Sequence, residues 1–533
     1  MKVAIIAPPY PLEEAPSPPL GVTYVAAAFE KAGADVKIID YIVSRYSEEK
    51  LQRVLDTFSP DVVGITSVTM NFPAAVTIVQ DVKAYDPSII TIMGGPHVSF
   101  DTVNTLTTYP AIDLIVVGEG EQTIEELVPV MKKRGDWPGI DGIAYREGDR
   151  VVKTNPRQLI ADLNTLPLPA RHLLPLSRYQ ALGFPVSIIT SRGCPNACIF
   201  CLGRRMVGKR VRHRDASCVV DEIEHLLSYG FTRINVADDL FTANKKKVRA
   251  VCNEIRRRGL VFSWSAFSRV NTVSTEILEL MRDAGCDAVS FGIESGNPAM
   301  LKRIRKGITL DQAREAVRIC KEVGILAHAS FMVGLPGETR ETLRDTKAFS
   351  DSLGIEFGFH FLAPFPGTTV REEIENYDLE ILTNDWNRYD ANSAIVRTSQ
   401  LSAADMNAFV DEYDRVTREA WERMVEGYKR GINTPEDNFR TEGQLRTRLV
   451  YTILSEDLIE RCGSCSPDSA GDTAETSLDL VCSRIAQITN TDSDLVCKTV
   501  RSFVERGQIK MQETAGDCFW YWTHNNGVDS VVI

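Results

Sequence analysis

Along positions 186–365 the apolar residues recur in one order: a short apolar run, a polar loop, a stretch with apolar residues every three to four positions, then a glycine. A short continuous run reads as a strand buried on both faces, and the three-to-four spacing reads as an amphipathic helix. Strands are predicted at 186–190, 231–237, 261–267, 288–293, 325–333 and 356–362, and helices near 217–229, 245–258, 275–284, 311–323 and 341–353. The helices end at Gly230, Gly259, Gly285, Gly324 and Gly354, the residue that most easily closes a helix in the left-handed conformation. Alternating strand and helix implies a parallel sheet with right-handed crossovers. Six units fall two short of a closed eightfold barrel, and functional side chains are expected at the strand carboxyl ends.

Residues 1–135 carry a second alternating pattern, with strands near 3–7, 36–40, 62–66, 89–93 and 114–117. Five such units predict a doubly wound sheet that binds its ligand outside the strand carboxyl ends. The loops there are distinctive: Pro18-Pro-Leu-Gly-Val22, Gly64-Ile-Thr-Ser-Val-Thr69, Gly94-Gly-Pro-His97 and Gly118-Glu-Gly-Glu121. No Gly-x-Gly-x-x-Gly follows the first strand, which argues against a dinucleotide. A connector at 136–185 contains a hairpin at 142–153 and a proline-rich crossing, Leu166-Pro-Leu-Pro-Ala-Arg-His172, stiffened as an extended link. After a barrel at 186–370, residues 371–460 read as a helical extension, and 475–533 as short helices followed by strands at 509–513 and 519–522, a winged-helix-like order.

A length of 533 residues fits several domains, and 44% hydrophobic with 25% charged residues is ordinary for a globular protein. The net charge of −12 argues against an electrostatic nucleic-acid binder, so docking of a peptide or protein is the reading kept for the C-terminal unit. A basic run from Arg204-Arg205 to Arg214 is read as contacting an anionic cofactor or facing solvent. Twelve scattered cysteines do not form a secreted disulfide framework. The short apolar N-terminus meets Glu13-Glu14 too soon for a signal peptide, and no run approaches a membrane span. The expected setting is a reducing, anaerobic cytoplasm.

Chemistry concentrates after the first predicted barrel strand, in Ser191-Arg-Gly-Cys-Pro-Asn-Ala-Cys-Ile-Phe-Cys201. Zinc sites usually take four ligands in paired spacings, whereas three thiolates from one loop suit a four-iron cluster with one iron left open. Cys462 and Cys465 form a second, isolated pair with no further pair nearby, a weak metal candidate. Charged residues and glycines stand at the other strand ends: Asp238-Asp239, Arg269, Glu294 in Phe291-Gly-Ile-Glu-Ser-Gly296, and Gly334 and Gly337 in Gly334-Leu-Pro-Gly-Glu-Thr339.

The Cys194-x3-Cys198-x2-Cys201 spacing resembles the radical S-adenosylmethionine superfamily, and the preceding α/β unit resembles the cobalamin-binding domain that comes before such barrels. The resemblance covers roughly residues 1–370 and implies three cofactors: a [4Fe-4S] cluster on Cys194, Cys198 and Cys201, S-adenosylmethionine, and cobalamin. It implies that Phe200 lies beside the adenine, and that Asp238, Asp239, Arg269, Glu294, Gly334 and Gly337 contact S-adenosylmethionine. Ser67 and Thr69 would approach the corrin or its tail, Gly94 and Gly95 would leave room for the nucleotide tail, and Gly118, Glu119 and Glu121 would line the far side of that tail. The Asp-x-His-x-x-Gly signature of histidine-ligated cobalamin proteins is absent after the first strand, where Ala7-Pro-Pro-Tyr10 stands. Cobalt without a histidine from that loop is therefore expected, with His97 near the nucleotide tail or serving as a loop hydrogen-bonder.

The fold so implied is a doubly wound, Rossmann-like cobalamin domain, a partial (β/α)6 radical S-adenosylmethionine barrel, and a mainly helical, winged-helix-like C-terminal region. The commonest chemistry of that family is methylation of an unactivated carbon through a 5′-deoxyadenosyl radical and methylcobalamin. A non-methylating relative, a cyclase-like oxidation or a ring rearrangement, is the alternative. The substrate class stays open between small molecule, lipid and peptide or protein, and a low-potential donor such as flavodoxin or ferredoxin is expected as partner.

Overall fold

A computed structural model describes residues 1–10, 16–465, 474–514 and 517–524. The first unit is a seven-stranded sheet of β1 (Lys2–Ala7), β2 (Asp35–Asp40), β3 (Val62–Thr66), β4 (Ile90–Gly94), β5 (Leu114–Val116), β6 (Ile143–Glu147) and β7 (Arg150–Lys153). The order is 2-1-3-4-5-6-7, parallel through β5 and antiparallel for the last two strands. The hairpin predicted at 142–153 thus extends this sheet. Strand alternation is visible in β1: Val3, Ile5 and Ala7 enter one apolar core while Ala4 and Ile6 enter another, formed with helices Glu48–Phe58 and Phe72–Tyr85. The order reverses between β1 and β3, so the crevice at their carboxyl ends is the switch point where such sheets take ligands.

The second unit has six parallel strands in sequential order: Val186–Ile188, Arg233–Val236, Ser263–Ser268, Cys286–Glu294, Leu326–Val333 and Glu356–Phe361. Helices Ala216–Ser228, Lys245–Arg257, Thr275–Asp283, Leu310–Val323 and Arg340–Leu353 alternate with them, each within one or two residues of its predicted span. The sheet is open, with the first and sixth strands at its edges. The core that holds Val3 and Ile5 continues through Leu174 and Tyr179 into Ile188, Ile234 and Val289 of the barrel. The two units therefore share apolar contacts and do not hang on a bare linker.

Beyond the barrel, helix Ala403–Lys429 lays Phe409 and Tyr413 against Phe357 and Phe359 of the sixth strand, and the Tyr413 hydroxyl donates to the Phe357 carbonyl at 2.6 Å. Helix Pro435–Ser455 follows. The C-terminal unit has helices Ala474–Thr489 and Ser493–Glu505, then strands Ile509–Thr514 and Asp517–Trp522, joined by the short strand Ser464–Cys465 into a three-stranded sheet. It is fastened to the connector, where Ser177 donates to the Thr523 carbonyl and the Arg178 guanidinium lies 5.7 Å from the Trp522 ring. Arg178 also donates to the Val43 carbonyl and pairs with Asp457. Among the described residues no helix is long and apolar enough to cross a membrane.

Candidate active site

The cysteine loop leaves the first barrel strand and is pinned on several sides. Cys194 N–H donates to the Gly208 carbonyl at 3.1 Å, Ile199 N–H to the Ile304 carbonyl, and Val370 N–H to the Ile199 carbonyl. Gly193 turns the chain into the loop at φ +112°, and a side chain there would collide with the Arg210 carbonyl. Asn196 donates to the Cys194 sulfur and Gly203 N–H to the Cys201 sulfur, both at 3.3 Å. Arg269 brings its guanidinium within 3.7 Å of the Cys198 sulfur. Cys201 is exposed as a residue, yet burial of its sulfur pushes the thiol up to about 11, with Cys198, Cys194 and Asp239 adding to the rise against the Gly203 N–H.

Three strand-end acids have separate surroundings. Asp238 is buried and spends both oxygens on the start of the cysteine loop, accepting from the Thr190 N–H and hydroxyl at 2.6 Å and from the Ser191 N–H and hydroxyl at 3.1 and 2.6 Å. Burial raises its carboxyl in spite of those bonds. The cofactor contact expected of Asp238 is thereby replaced by a structural role. Asp239 is exposed, accepts only a long 3.3 Å bond from Gly193 N–H, and points at Gly203, where an added Cβ would lie 2.8 Å from its Oδ1 and 3.6 Å from the Cys201 sulfur. Glu294 ends the fourth strand at φ +74°, a conformation that costs a non-glycine residue, after a break in register. Its carboxylate pairs at 2.7 Å with buried Lys306, whose Nζ lies 5.8 Å from the Phe200 ring centre. Phe200, Lys306 and Glu294 thus stand together beside the cysteine loop. Lys306 was not expected from sequence; its only signal is the basic run Lys302–Lys306 before Gly307.

The glycine turn after the fifth strand is closed by protein. Arg303 donates to the carbonyls of Pro336 and Gly337, and a side chain at Gly337 would strike its guanidinium. Glu338 lies inside the turn, accepting from Gly334 N–H at 2.6 Å and Leu335 N–H at 3.3 Å, with Oε1 unpartnered. Burial pushes its carboxyl up to about 8.

At the first sheet, Ser67 is fully buried with its hydroxyl unpartnered, and Thr69 meets His97 Nδ1 at 3.2 Å. His97 is stacked on Phe72 at 4.0 Å and edged by Trp386 at 5.0 Å. Burial, then Arg371, lowers it to about 3, so the imidazole is neutral. Gly95 takes φ +103°, and a side chain there would strike the Ser67 backbone. Gly94 lies near the Val116 carbonyl, and Gly118 opens on free space.

Glu119 and Glu121, expected on the far side of the nucleotide tail, pair with arginines of the cysteine loop region. Glu119 accepts from Arg212 at 2.9 and 2.8 Å, from Ile160 N–H at 2.9 Å and from Arg192 at 3.3 Å, and Glu121 accepts from Arg192 at 2.5 Å. Burial alone would raise Glu119; the Arg212 and Ile160 bonds outweigh it and hold the carboxyl below its usual range. The basic run therefore divides: Arg204, Arg205, Lys209 and Arg210 face solvent, while Arg212 and Arg214 are buried, Arg214 on Glu222.

The donor set suits the implied cofactors. Three cysteine sulfurs come from one loop after the first barrel strand, the donor set of a four-iron cluster with one iron left open. The orphaned Ser67 hydroxyl at the switch point and the open side of Gly118 fit a large ligand over the first sheet. Cys462 is buried at a helix end, and the side chain of Cys465 lies outside the described residues.

A model of the radical SAM superfamily matches residues 188–349, and a model of the B12 binding domain matches residues 14–128. An uncharacterised methyltransferase of Pyrococcus horikoshii is 36% identical over 464 residues, covering 85% of this chain and 98% of its own. The anaerobic magnesium-protoporphyrin IX monomethyl ester cyclase of Rubrivivax gelatinosus is 32% identical over 381 residues, 68% of either chain. The cobalamin-dependent S-adenosylmethionine radical enzyme OxsB, solved with aqua-cobalamin and S-adenosylmethionine, superposes at a TM-score of 0.68 with 17% identity over 95% of this chain and 83% of its own, a likeness of fold. The chain belongs to the cobalamin-dependent radical S-adenosylmethionine enzymes, whose cofactors are a [4Fe-4S] cluster, S-adenosylmethionine and cobalamin.

Proposed function

We propose that this enzyme is a C-methyltransferase acting on an unactivated carbon in an anaerobic cytoplasm, with a low-potential flavodoxin or ferredoxin supplying electrons. The observation that carries the reading is the cysteine loop of one unit locked by Arg192 and Arg212 to the last parallel strand end of the other, which keeps two cofactor sites in one frame. Bound together, the three cofactors supply a hydrogen-abstracting radical and a transferable methyl group.

The chain's own contribution is placement and exclusion of water. Cys194, Cys198 and Cys201 would hold the cluster, with Arg269 countering thiolate charge at Cys198. Glu294, oriented by Lys306, and Asp239 would receive the amino and hydroxyl groups of S-adenosylmethionine, with Phe200 beside its adenine. Ser67, Thr69 and Gly118 would line the corrin side. Asp238 supports the loop from behind, and His97, enclosed by Phe72 and Trp386, is a wall of the site rather than a cobalt ligand.

The test is an anaerobic incubation of reconstituted enzyme with substrate-containing extract, reductant and methyl-labelled S-adenosylmethionine. S-adenosylhomocysteine and 5′-deoxyadenosine should form in similar amounts beside a labelled product. Abundant 5′-deoxyadenosine with an unlabelled product would replace methylation by the cyclase-like alternative. The Cys194→Ala/Cys198→Ala/Cys201→Ala variant should lose its iron and form no 5′-deoxyadenosine.

A further inference from the structure

Exposed cations flank the cysteine loop on two sides. Residues 193–214 and 295–310 contain no aspartate or glutamate, although the chain as a whole has a net charge of −12. Both stretches are tied to the loop. On one side the Cys194 N–H donates to the Gly208 carbonyl at 3.1 Å, and a side chain on Gly193 would strike the Arg210 carbonyl. On the other the Ile199 N–H donates to the Ile304 carbonyl at 3.2 Å. Pro195 and Ala197 lie between these two ties and are exposed. They are short and uncharged, so a second molecule can come close to the loop there.

Arg204, Arg205, Lys209 and Arg210 on the first side, and Lys302 and Arg305 on the second, are exposed, and none makes an ion pair with a described residue. Exposed arginines elsewhere are paired, Arg318 with Glu315 and Glu322 and Arg415 with Glu412 and Glu419. The acids that reach the loop have other partners. Asp238 and Asp239 accept from residues 190–193, Glu119 and Glu121 pair with Arg212 and Arg192, and Glu294 pairs with Lys306. Free positive charge therefore surrounds this loop on an otherwise acidic molecule.

Charges spread over two segments, all on exposed side chains, do not enclose a small anion. Nucleic acid would be repelled by the rest of the chain. An acidic protein is steered by such a face, with an encounter rate that rises with complementary charge and falls with salt. A partner that has to arrive, deliver and leave at each turnover suits the small, weak interfaces of electron-transfer encounters.

Resting on the proposed low-potential donor, we propose that this cationic face docks a small acidic electron-carrier protein. Arg204, Arg205, Lys209 and Arg210 form its main contact, and Lys302 and Arg305 the opposite rim. In the encounter the carrier loses one electron and the cluster on Cys194, Cys198 and Cys201 gains it; no bond forms or breaks and no proton moves.

The experiment mixes anaerobic, cluster-reconstituted enzyme with reduced flavodoxin or reduced ferredoxin, both acidic, and follows carrier oxidation and cluster bleaching by stopped flow. The faster carrier identifies the donor, and its second-order rate should fall steeply with salt. Arg204→Gln/Arg205→Gln/Lys209→Gln/Arg210→Gln should slow it about tenfold or more at low salt and flatten the salt dependence. Lys302→Glu, outside the cysteine loop, should slow it too and carries the same test if the fourfold variant loads less iron. Reduced methyl viologen, a small cation, should bleach the cluster of parent and variants alike. Arg418→Gln/Lys429→Gln, on helix Ala403–Lys429, should keep the parent's rate. Parent-like rate and salt dependence in the fourfold variant and in Lys302→Glu, or equal slowing by Arg418→Gln/Lys429→Gln, overturns the docking face and leaves the donor and methylation standing. A parent bleached by methyl viologen but by neither carrier overturns the proposed donor and this face with it.

Discussion

At the scale of single residues, Glu294 carries two burdens, a left-handed backbone and a buried ion pair. In its proposed role, replacing it by alanine would remove one charged hydrogen bond to the cofactor, worth about 1.5–3 kcal/mol, so 5′-deoxyadenosine formation should fall roughly ten- to a hundredfold with iron content unchanged. Glu294→Gly should lose the same activity yet melt higher than Glu294→Ala, because glycine accepts φ +74° without the cost of about 1 kcal/mol or more that alanine meets. Equal melting of the two would mean that the backbone there is not strained. Glu338 gives a pH dependence. Its carboxyl is raised to about 8 by burial, well above an unfolded glutamate, so the folded chain holds a proton that the unfolded chain has released. The stabilisation is complete in acid, below the unfolded pKa, and is lost as pH rises toward and through 8. Melting temperature should therefore fall between pH 5.5 and 8.5, and Glu338→Gln, which cannot ionise, should flatten that fall. A variant as pH-sensitive as the parent would assign the dependence elsewhere.

At the scale of elements, strands and helices of both sheets follow the sequence closely, because two-sided burial writes continuous apolar runs for strands and a three-to-four spacing for helices. The cysteine loop was legible for a similar reason: three thiols in eight positions have little structural use. What the chain did not display was how charges pair across long separations. Asp238 and Asp239 are neighbours in sequence, yet one faces back into the loop and the other faces out, a distinction set by the turn after the strand. The pairing of Glu119 and Glu121 was hidden because their partners, Arg212 and Arg192, lie 93 and 71 positions away in sequence. That clamp is testable. Arg212→Ala leaves buried Glu119 with only the Ile160 N–H and the 3.3 Å Arg192 contact and should destabilise the protein by about 1.5–3 kcal/mol, whereas Glu119→Ala/Arg212→Ala removes both charges and should recover much of the loss. Additive effects in the double variant would show that the two side chains do not interact in solution.

At the scale of the molecule, the first sheet and the barrel share an apolar core that runs from Val3 through Tyr179 to Val289, and buried ion pairs cross between them. Removing residues 1–135 would therefore expose barrel core as well as discard the corrin site, so deletion is a poor assay of cobalamin binding. A shared core also implies shared stability: a ligand that binds only the folded first sheet stabilises whatever unfolds with it. Hydrogen exchange read peptide by peptide should show protection of β1, β3 and β4 rising on addition of hydroxocobalamin. The barrel strands Arg233–Val236 and Cys286–Glu294, which do not line the switch point, should gain protection in parallel. The C-terminal helices Ala474–Thr489 and Ser493–Glu505, which pack chiefly on each other and on helices Leu458–Cys462 and Pro435–Ser455, lie at the far end of the shared core and should gain less. Protection confined to residues 1–135 would show that the two units open independently. Their fixed spacing would then have to come from the cofactors and substrate rather than from the protein.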